Sequence, residues 1–200
     1  MLFRSTTAIG TTVGEGDDAI WVGAPLRVHR RCDEPMFSIS NEVAYDGLMV
    51  HHKKPAALTW PASYWLDVPG GQGNGNWIPA EGEALRGLIQ SLLGQAQVPA
   101  DDIFLISPFR DVVRELKGIG KAFGLDYRRV GTVHTTQGKE ADVVIMVLGG
   151  GTAGARDWAS SRPNLLNVAA SRAKARFYVV GDRKDWSRRR FFDVLSKNLN

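Results

Sequence analysis

Six apolar residues in unbroken succession, Val143-Val144-Ile145-Met146-Val147-Leu148, constrain this chain more than any other feature. A strand with one face in water alternates apolar and polar residues. A run without alternation, rich in β-branched side chains, is buried on both faces. Such a strand belongs inside a sheet covered by helices on either side, and the neighbouring segments read accordingly. Residues 103–107 (Ile-Phe-Leu-Ile-Ser) form a second buried run, ended by Pro108, and residues 176–180 (Arg-Phe-Tyr-Val-Val) a third, ended by Gly181-Asp182. Between them, residues 110–121 carry Val112, Val113, Leu116 and Ile119 as a helical stripe, and 163–173 predict a helix with Pro163 in its first turn. Residues 127–133 read as one strand or two strand pieces. Upstream, 64–68 predict a strand and 79–93 a helix with Leu85, Leu88, Ile89, Leu92 and Leu93 on one face. The tail from 184 to about 195 reads as a final helix. Strand and helix alternating at these lengths predict an α/β domain with a mainly parallel sheet between two helical layers.

No internal repeat is present. Gly70-Gly71-Gln72-Gly73-Asn74-Gly75-Asn76 reads as a flexible loop, and 49–62, with Pro55 and Pro61, as a connector. Residues 1–24 are expected to be irregular and 25–200 to form one domain. At 200 residues and 44% hydrophobic content, the chain has enough apolar surface for its own core. A single cysteine, Cys32, excludes an internal disulfide framework and a cysteine-rich zinc site. His29, His51, His52 and His134 show no metal-ligand spacing, so no metal site is expected. No apolar run reaches the roughly 18 residues of a membrane span, and the start lacks a signal-peptide core. A reducing, cytoplasmic setting follows as the expectation.

The charge is unevenly distributed. Residues 1–100 hold 7 Lys/Arg against 10 Asp/Glu, whereas residues 101–200 hold 18 against 11, a net +7. A basic half attracts phosphates, whether of a nucleotide or of nucleic acid. A phosphate-binding loop of the Gly-x-x-x-x-Gly-Lys-[Ser/Thr] type is nevertheless absent. Gly118-Ile119-Gly120-Lys121-Ala122 lacks the hydroxyl that would hold magnesium, and Gly149-Gly150-Gly151-Thr152-Ala153-Gly154 lacks the lysine. No apolar strand ends in a magnesium-binding acidic pair. The chain alone is therefore not expected to hydrolyse a nucleotide.

Five segments stand in a telling order: Pro25-Leu26-Arg27-Val28-His29-Arg30-Arg31-Cys32, Ser40-Asn41-Glu42-Val43-Ala44-Tyr45-Asp46-Gly47-Leu48, Ile106-Ser107-Pro108-Phe109-Arg110, Gly131-Thr132-Val133-His134-Thr135-Thr136-Gln137-Gly138-Lys139-Glu140-Ala141-Asp142, and Asn164-Leu165-Leu166-Asn167-Val168-Ala169-Ala170-Ser171-Arg172-Ala173-Lys174. Together they resemble the second RecA-like motor domain of superfamily 1B helicases, in the subgroup that includes the nonsense-decay RNA helicase. The resemblance covers residues 25–182 and implies a RecA-like three-layer fold without its own phosphate loop. It implies ATP with Mg2+, held mainly by a first RecA-like lobe of the same polypeptide, and single-stranded DNA or RNA as the track.

Residue by residue, the resemblance makes Arg172 the arginine finger. Arg31 matches a second arginine that approaches the γ-phosphate, although His-Arg-Arg-Cys stands where the family has Gln-Tyr-Arg-Met, which leaves Arg30 as the alternative. Guanidinium suits the task because it stays charged and binds phosphate oxygens in pairs. Glu140 matches the carboxylate that accepts from the ribose hydroxyls, with Gln137, Gly138 and Lys139 as the adjoining turn, Lys139 reaching phosphate or facing solvent. Arg110 is grouped with the nucleotide, and Ser107, Thr132, His134 and Thr135 with the nucleic-acid backbone, where hydroxyls position phosphates without reading sequence. His134 reads equally as an ordinary, partly buried histidine. A non-catalytic module that keeps the fold and binds nucleic acid or protein is the alternative. Trp21, Trp65, Trp158 and Trp186 read as core or interface, Arg188-Arg189-Arg190 as a solvated helix face, and His51-His52-Lys53-Lys54 as a polar run.

Overall fold

The computed structural model describes residues 10–13, 20–23, 27–54, 58–136 and 138–200. Near the N-terminus, β1 (Gly10–Val13) and β2 (Ile20–Gly23) pair as an antiparallel ladder. The expectation of an irregular segment is corrected there: Thr-Thr-Val and Ile-Trp-Val suit a pleated surface, but four-residue strands are too short to show a period. Next, β3 (Val28–His29) pairs in parallel with β4 (Val50–His51), and α1 (Met36–Ala44) lies between them in the chain. Ser38, Ser40 and Asn41 dilute the apolar stripe of α1, yet it buries Met36, Phe37, Ile39 and Val43.

The central sheet comprises β5 (Trp65–Asp67), β6 (Ile103–Ser107), β7 (Val130–Thr132), β8 (Ala141–Val147) and β9 (Ala173–Gly181). They run parallel in the order β5-β9-β8-β6-β7. Helices α2 (Pro79–Gly94) and α3 (Arg110–Ala122) carry the chain from β5 to β6 and from β6 to β7, both in one direction across the sheet. Helices α4 (Ala153–Ala159) and α5 (Pro163–Arg172) carry it from β8 to β9 in the other direction. Right-handed crossovers therefore place the two groups on opposite faces. The α5 side is extended by α1, which packs on α5 and on α7 (Phe192–Asn198). This is the expected three-layer RecA-like arrangement.

Residues Val143–Val147 of β8 are fully buried, as a central strand requires. Each such side chain contributes about 1.5–3 kcal/mol relative to exposure. The predicted final helix divides into α6 (Arg183–Trp186) and α7. Phe191 at φ 69° breaks the helical path, so Arg188-Arg189-Arg190 occupy a turn, where Arg189 pairs with Asp157.

The carboxyl end of β8, on the edge where α/β proteins ordinarily bind ligands, is filled by the chain itself. Asn76 accepts the Gly150 N–H at 3.0 Å, and both its backbone and side-chain N–H groups donate to Asp111. Glu81, at the start of α2, accepts the Gly149 N–H at 2.7 Å. Gly149 has φ 60°, and a Cβ there would stand 2.5 Å from the Asn76 carbonyl oxygen. The glycine run thus admits the 70–77 loop at close range, and that loop is packed rather than free.

Candidate nucleotide and nucleic-acid interface

Parallel strands gather their amino ends on one edge. Glu140 immediately precedes β8, and Arg172 closes α5 immediately before β9, so both stand there. A bulge between Ala141 and Val143, opposite Ala173 and Arg176, fits an extra β9 residue into this end of the ladder. Arg31 arrives from the loop joining β3 to α1, which is stitched to the α5–β9 junction. The Asp33 N–H donates to the Lys174 carbonyl at 2.9 Å, and the Lys53 ammonium donates to the same oxygen at 2.7 Å. Lys53 also pairs with Asp33 at 2.9 Å, and the Cys32 thiol donates to the Ser171 carbonyl at 3.7 Å.

Arg31 Nε consequently lies 3.6 Å from Glu140 Oε2, with both side chains about half exposed at 49% and 47%. An ion pair this exposed contributes little to stability, and its partners exchange readily. Arg172 donates to the carbonyls of Lys139 at 3.1 Å and Val168 at 3.3 Å, and has no carboxylate within ion-pair distance among the described residues. Burial lowers its pKa, and the like charge of Arg31 lowers it further. The two guanidinium groups share only the half-exposed Glu140 carboxylate, so a second anion would relieve their mutual repulsion.

Beside them opens a cleft of about 570 Å³, lined by Arg30, Arg31, Ser40, Asn167, Ser171 and Arg172 among others. Ser40 Oγ and Asn167 Oδ1 are buried there without hydrogen-bond partners among the described residues. Gln137 lies outside the described residues. Gly138 sits at φ 85° in a turn closed by the Lys139 N–H on the Thr136 carbonyl at 3.0 Å, a conformation that favours glycine.

Arg110 does not join Arg31, Glu140 and Arg172. It begins α3 after β6, at the opposite edge of the sheet, where a groove of about 1070 Å³ runs along β7. Arg110, Arg114, Lys117, His134 and Lys139 line this groove, with Tyr127 and Trp158. Positions 110, 114 and 117 fall on one helical ridge. Arg110, Lys117 and Lys139 make no ion pair among the described residues. Lys139 belongs to both sites, since its carbonyl receives Arg172.

One expectation needs correction. Ser107 is fully buried and its hydroxyl accepts the Phe109 N–H at 3.3 Å, shaping the turn into α3 rather than facing a strand of nucleic acid. Thr132 is also buried. Its Oγ1 is engaged with the N–H and hydroxyl of Thr135, both at 3.2 Å, so the pair builds the one-turn helix of residues 134–136. Of the tryptophans expected in core or interface, Trp65 and Trp186 are buried and Trp158 is 53% exposed at the groove; the side chain of Trp21 lies outside the described residues. His134 and Thr135 are exposed at the groove. The aromatic residues Tyr127 and Trp158 were missed as groove residues, and so were the cations Arg114 and Lys117. The spacing of the α3 cations was the available signal.

A family model described as an AAA domain matches residues 22–184, a span holding both arginines, Glu140 and the groove. The chain belongs to the AAA domain family. A comparison with curated proteins finds no match. Among solved structures, this AAA domain is similar to the C-terminal domain of a possible DNA helicase from Lactobacillus plantarum WCFS1, at 13% identity and a TM-score of 0.46 over 76% of this chain and 87% of that one. It is also similar to Arterivirus nonstructural protein 10 (helicase), at 14% identity and a TM-score of 0.37, covering 78% of this chain and 25% of the other. Among the described residues no helix is long and apolar enough to cross a membrane, and no cluster of His, Cys, Asp and Glu is suited to a metal ion.

Proposed function

We propose that this AAA domain is the second motor lobe of a superfamily 1B helicase, akin to the nonsense-decay RNA helicase subgroup. The convergence of Arg31, Glu140 and Arg172 on the amino edge supports this reading most strongly. A lobe that grips a nucleotide held mainly by its partner needs donors at an exposed edge, and the carboxyl end of β8 here is already filled. Arg172 and Arg31 would meet the γ-phosphate, where bidentate donors stabilise developing charge. Glu140 would exchange Arg31 for ribose hydroxyls. Magnesium and the attacking water would be positioned by the first lobe, and this chain supplies charge and orientation only.

The groove along β7 takes the single strand. Arg110, Arg114, Lys117 and Lys139 provide the phosphate track, and exposed Trp158 and Tyr127 provide flat apolar faces of the kind on which bases stack. Arg110 accordingly belongs with nucleic acid. Phosphate release by the purified chain, with ATP, Mg2+ and single-stranded DNA or RNA, tests the half-motor reading. No turnover is expected. Sustained turnover that Arg172→Ala abolishes would refute it.

A further inference from the structure

Because β3 and β4 pair in register, His29 and His51 stand side by side. Both imidazoles pack on Phe37 of α1, His51 stacked at 4.7 Å between ring centres and His29 tilted at 5.5 Å. Each ring also holds one end of the same residue. The Cys32 N–H donates to His29 Nε2 at 3.1 Å, and His51 Nε2 lies 3.0 Å from the Cys32 carbonyl oxygen. Cys32 directly follows Arg31.

The two bonds demand opposite roles of the two Nε2 atoms. To accept an N–H, His29 Nε2 must keep its lone pair, so that ring is neutral with its proton on Nδ1. To donate to a carbonyl, His51 Nε2 must carry its proton, which either a neutral or a charged ring allows. The Nδ1 of His51 faces Glu34 Oε1 at 4.0 Å, a neighbour that tolerates a charge there. Among the described residues His29 has no carboxylate within ion-pair distance. The charged groups around it are Arg31 on its own loop and His51 and Lys53 from the β4 side, while α1 presents the apolar ring of Phe37. Burial first, then the positive charge of Arg31, with smaller contributions from His51 and Lys53, holds its pKa below the ordinary 6.5.

We propose that His29 and His51 are positioning residues that clamp the Cys32 peptide and thereby hold Arg31 at the amino edge, and that protonation of His29 opens the clamp. Proton uptake at His29 Nε2 turns an acceptor into a donor pointed at another donor, the Cys32 N–H. That bond breaks, and the Cys32 peptide loses its N–H tether while the loop's bonds to His51, Ser171, Lys53 and Lys174 remain. The proposal rests on the reading of Arg31 as a phosphate contact. It extends that reading, because neither histidine touches the phosphate.

Amide exchange at Cys32 in the full chain tests the clamp without any nucleotide. At about pH 7.5 the Cys32 N–H should be protected. After correction for the intrinsic rate, protection should fall about tenfold or more as the His29 ring titrates below pH 6.5. In His29→Gln the amide carbonyl accepts at every pH, so protection should persist through the same range. In His29→Ala protection should be lost even at about pH 7.5. Wild-type protection that ignores the titration of His29, or equal protection in His29→Ala and wild type, would overturn the clamp. Should His29→Ala not fold, the wild-type and His29→Gln pH series decide alone.

Tripolyphosphate affinity at about pH 7.5 then separates this proposal from the reading beneath it. Arg31→Ala and His29→Ala should each weaken binding about tenfold, with His29→Gln close to wild type. Unchanged affinity in Arg31→Ala would refute the phosphate role of Arg31. Weakening in Arg31→Ala but not in His29→Ala would refute the positioning role of His29.

Discussion

Replacing Glu81 by glutamine should remove most of a pH dependence of folding stability. Glu81 is 1% exposed, its Oε2 accepts the Gly149 N–H, and its Oε1 has no hydrogen-bond partner among the described residues. Burial pushes this carboxyl up from 4.5 to about 8, against the pull of the Gly149 N–H and with a further push from Asp182. In the unfolded chain the group returns to the ordinary carboxylate range. Between the two values the folded protein holds a proton that the unfolded chain has released, so stability falls as pH rises. The contribution is complete below about 4.5 and is lost as pH passes about 8. At about 1.4 kcal/mol per pH unit, that span amounts to roughly 5 kcal/mol as an upper figure, since a buried site relaxes around a charge. This is a large part of a typical domain's stability. Glutamine keeps the acceptor for Gly149 and never ionises. Urea unfolding, followed by the buried Trp65 and Trp186, measures the difference at about pH 5, 7 and 9. Glu81→Gln should be several kcal/mol more stable than wild type at the highest pH and should converge with it at the lowest. Midpoints that move in parallel across the range would refute the reasoning.

Further outcomes follow from other elements. Gly149→Ala should destabilise the fold by about 1–3 kcal/mol in thermal or urea unfolding, because it combines a left-handed φ of 60° with a clash on Asn76. Ile145→Ala, at the centre of β8, should cost about 2–5 kcal/mol. Trp158→Ala should leave the unfolding midpoint nearly unchanged while weakening single-strand binding by about 1–3 kcal/mol in fluorescence anisotropy. Lys117→Ala should lessen the salt dependence of that binding by roughly 0.7 in log-log slope if one phosphate contact is lost.

Much of the central layer was legible because its chemistry is local. The unbroken apolar run of β8, the stripe of Val112, Val113, Leu116 and Ile119 on α3, and Pro163 at the start of α5 each declare their element within a dozen residues. What stayed hidden depends on partners distant in the chain. The two-residue strands β3 and β4 exist because residues 28–29 and 50–51 meet, and no period can show in two residues. Phe191 in the left-handed region splits a tail whose composition reads as a single helix.

The candidate site divides in the same way. Arg31, Glu140 and Arg172 were legible from motif segments as residues that belong together. The hydrogen bonds of Arg172 to the Lys139 and Val168 carbonyls, and the stitching through Lys53, Asp33 and Lys174, were not. Ser107 misled because a hydroxyl at a strand end reads the same in sequence whether it faces solvent or closes a turn. Tyr127 and Trp158 could not be placed because the groove that exposes them is formed by segments about thirty residues apart.

Mapping where tripolyphosphate shifts backbone amide resonances of the full chain tests the central claim most directly. The account predicts that the largest changes fall at the amino edge, on Arg31, Cys32, Glu140 and Arg172, and vanish in a variant carrying both Arg31→Ala and Arg172→Ala. Changes centred instead on Gly149, Gly150 and Asp111 at the carboxyl edge, or no saturable change at all, would contradict it.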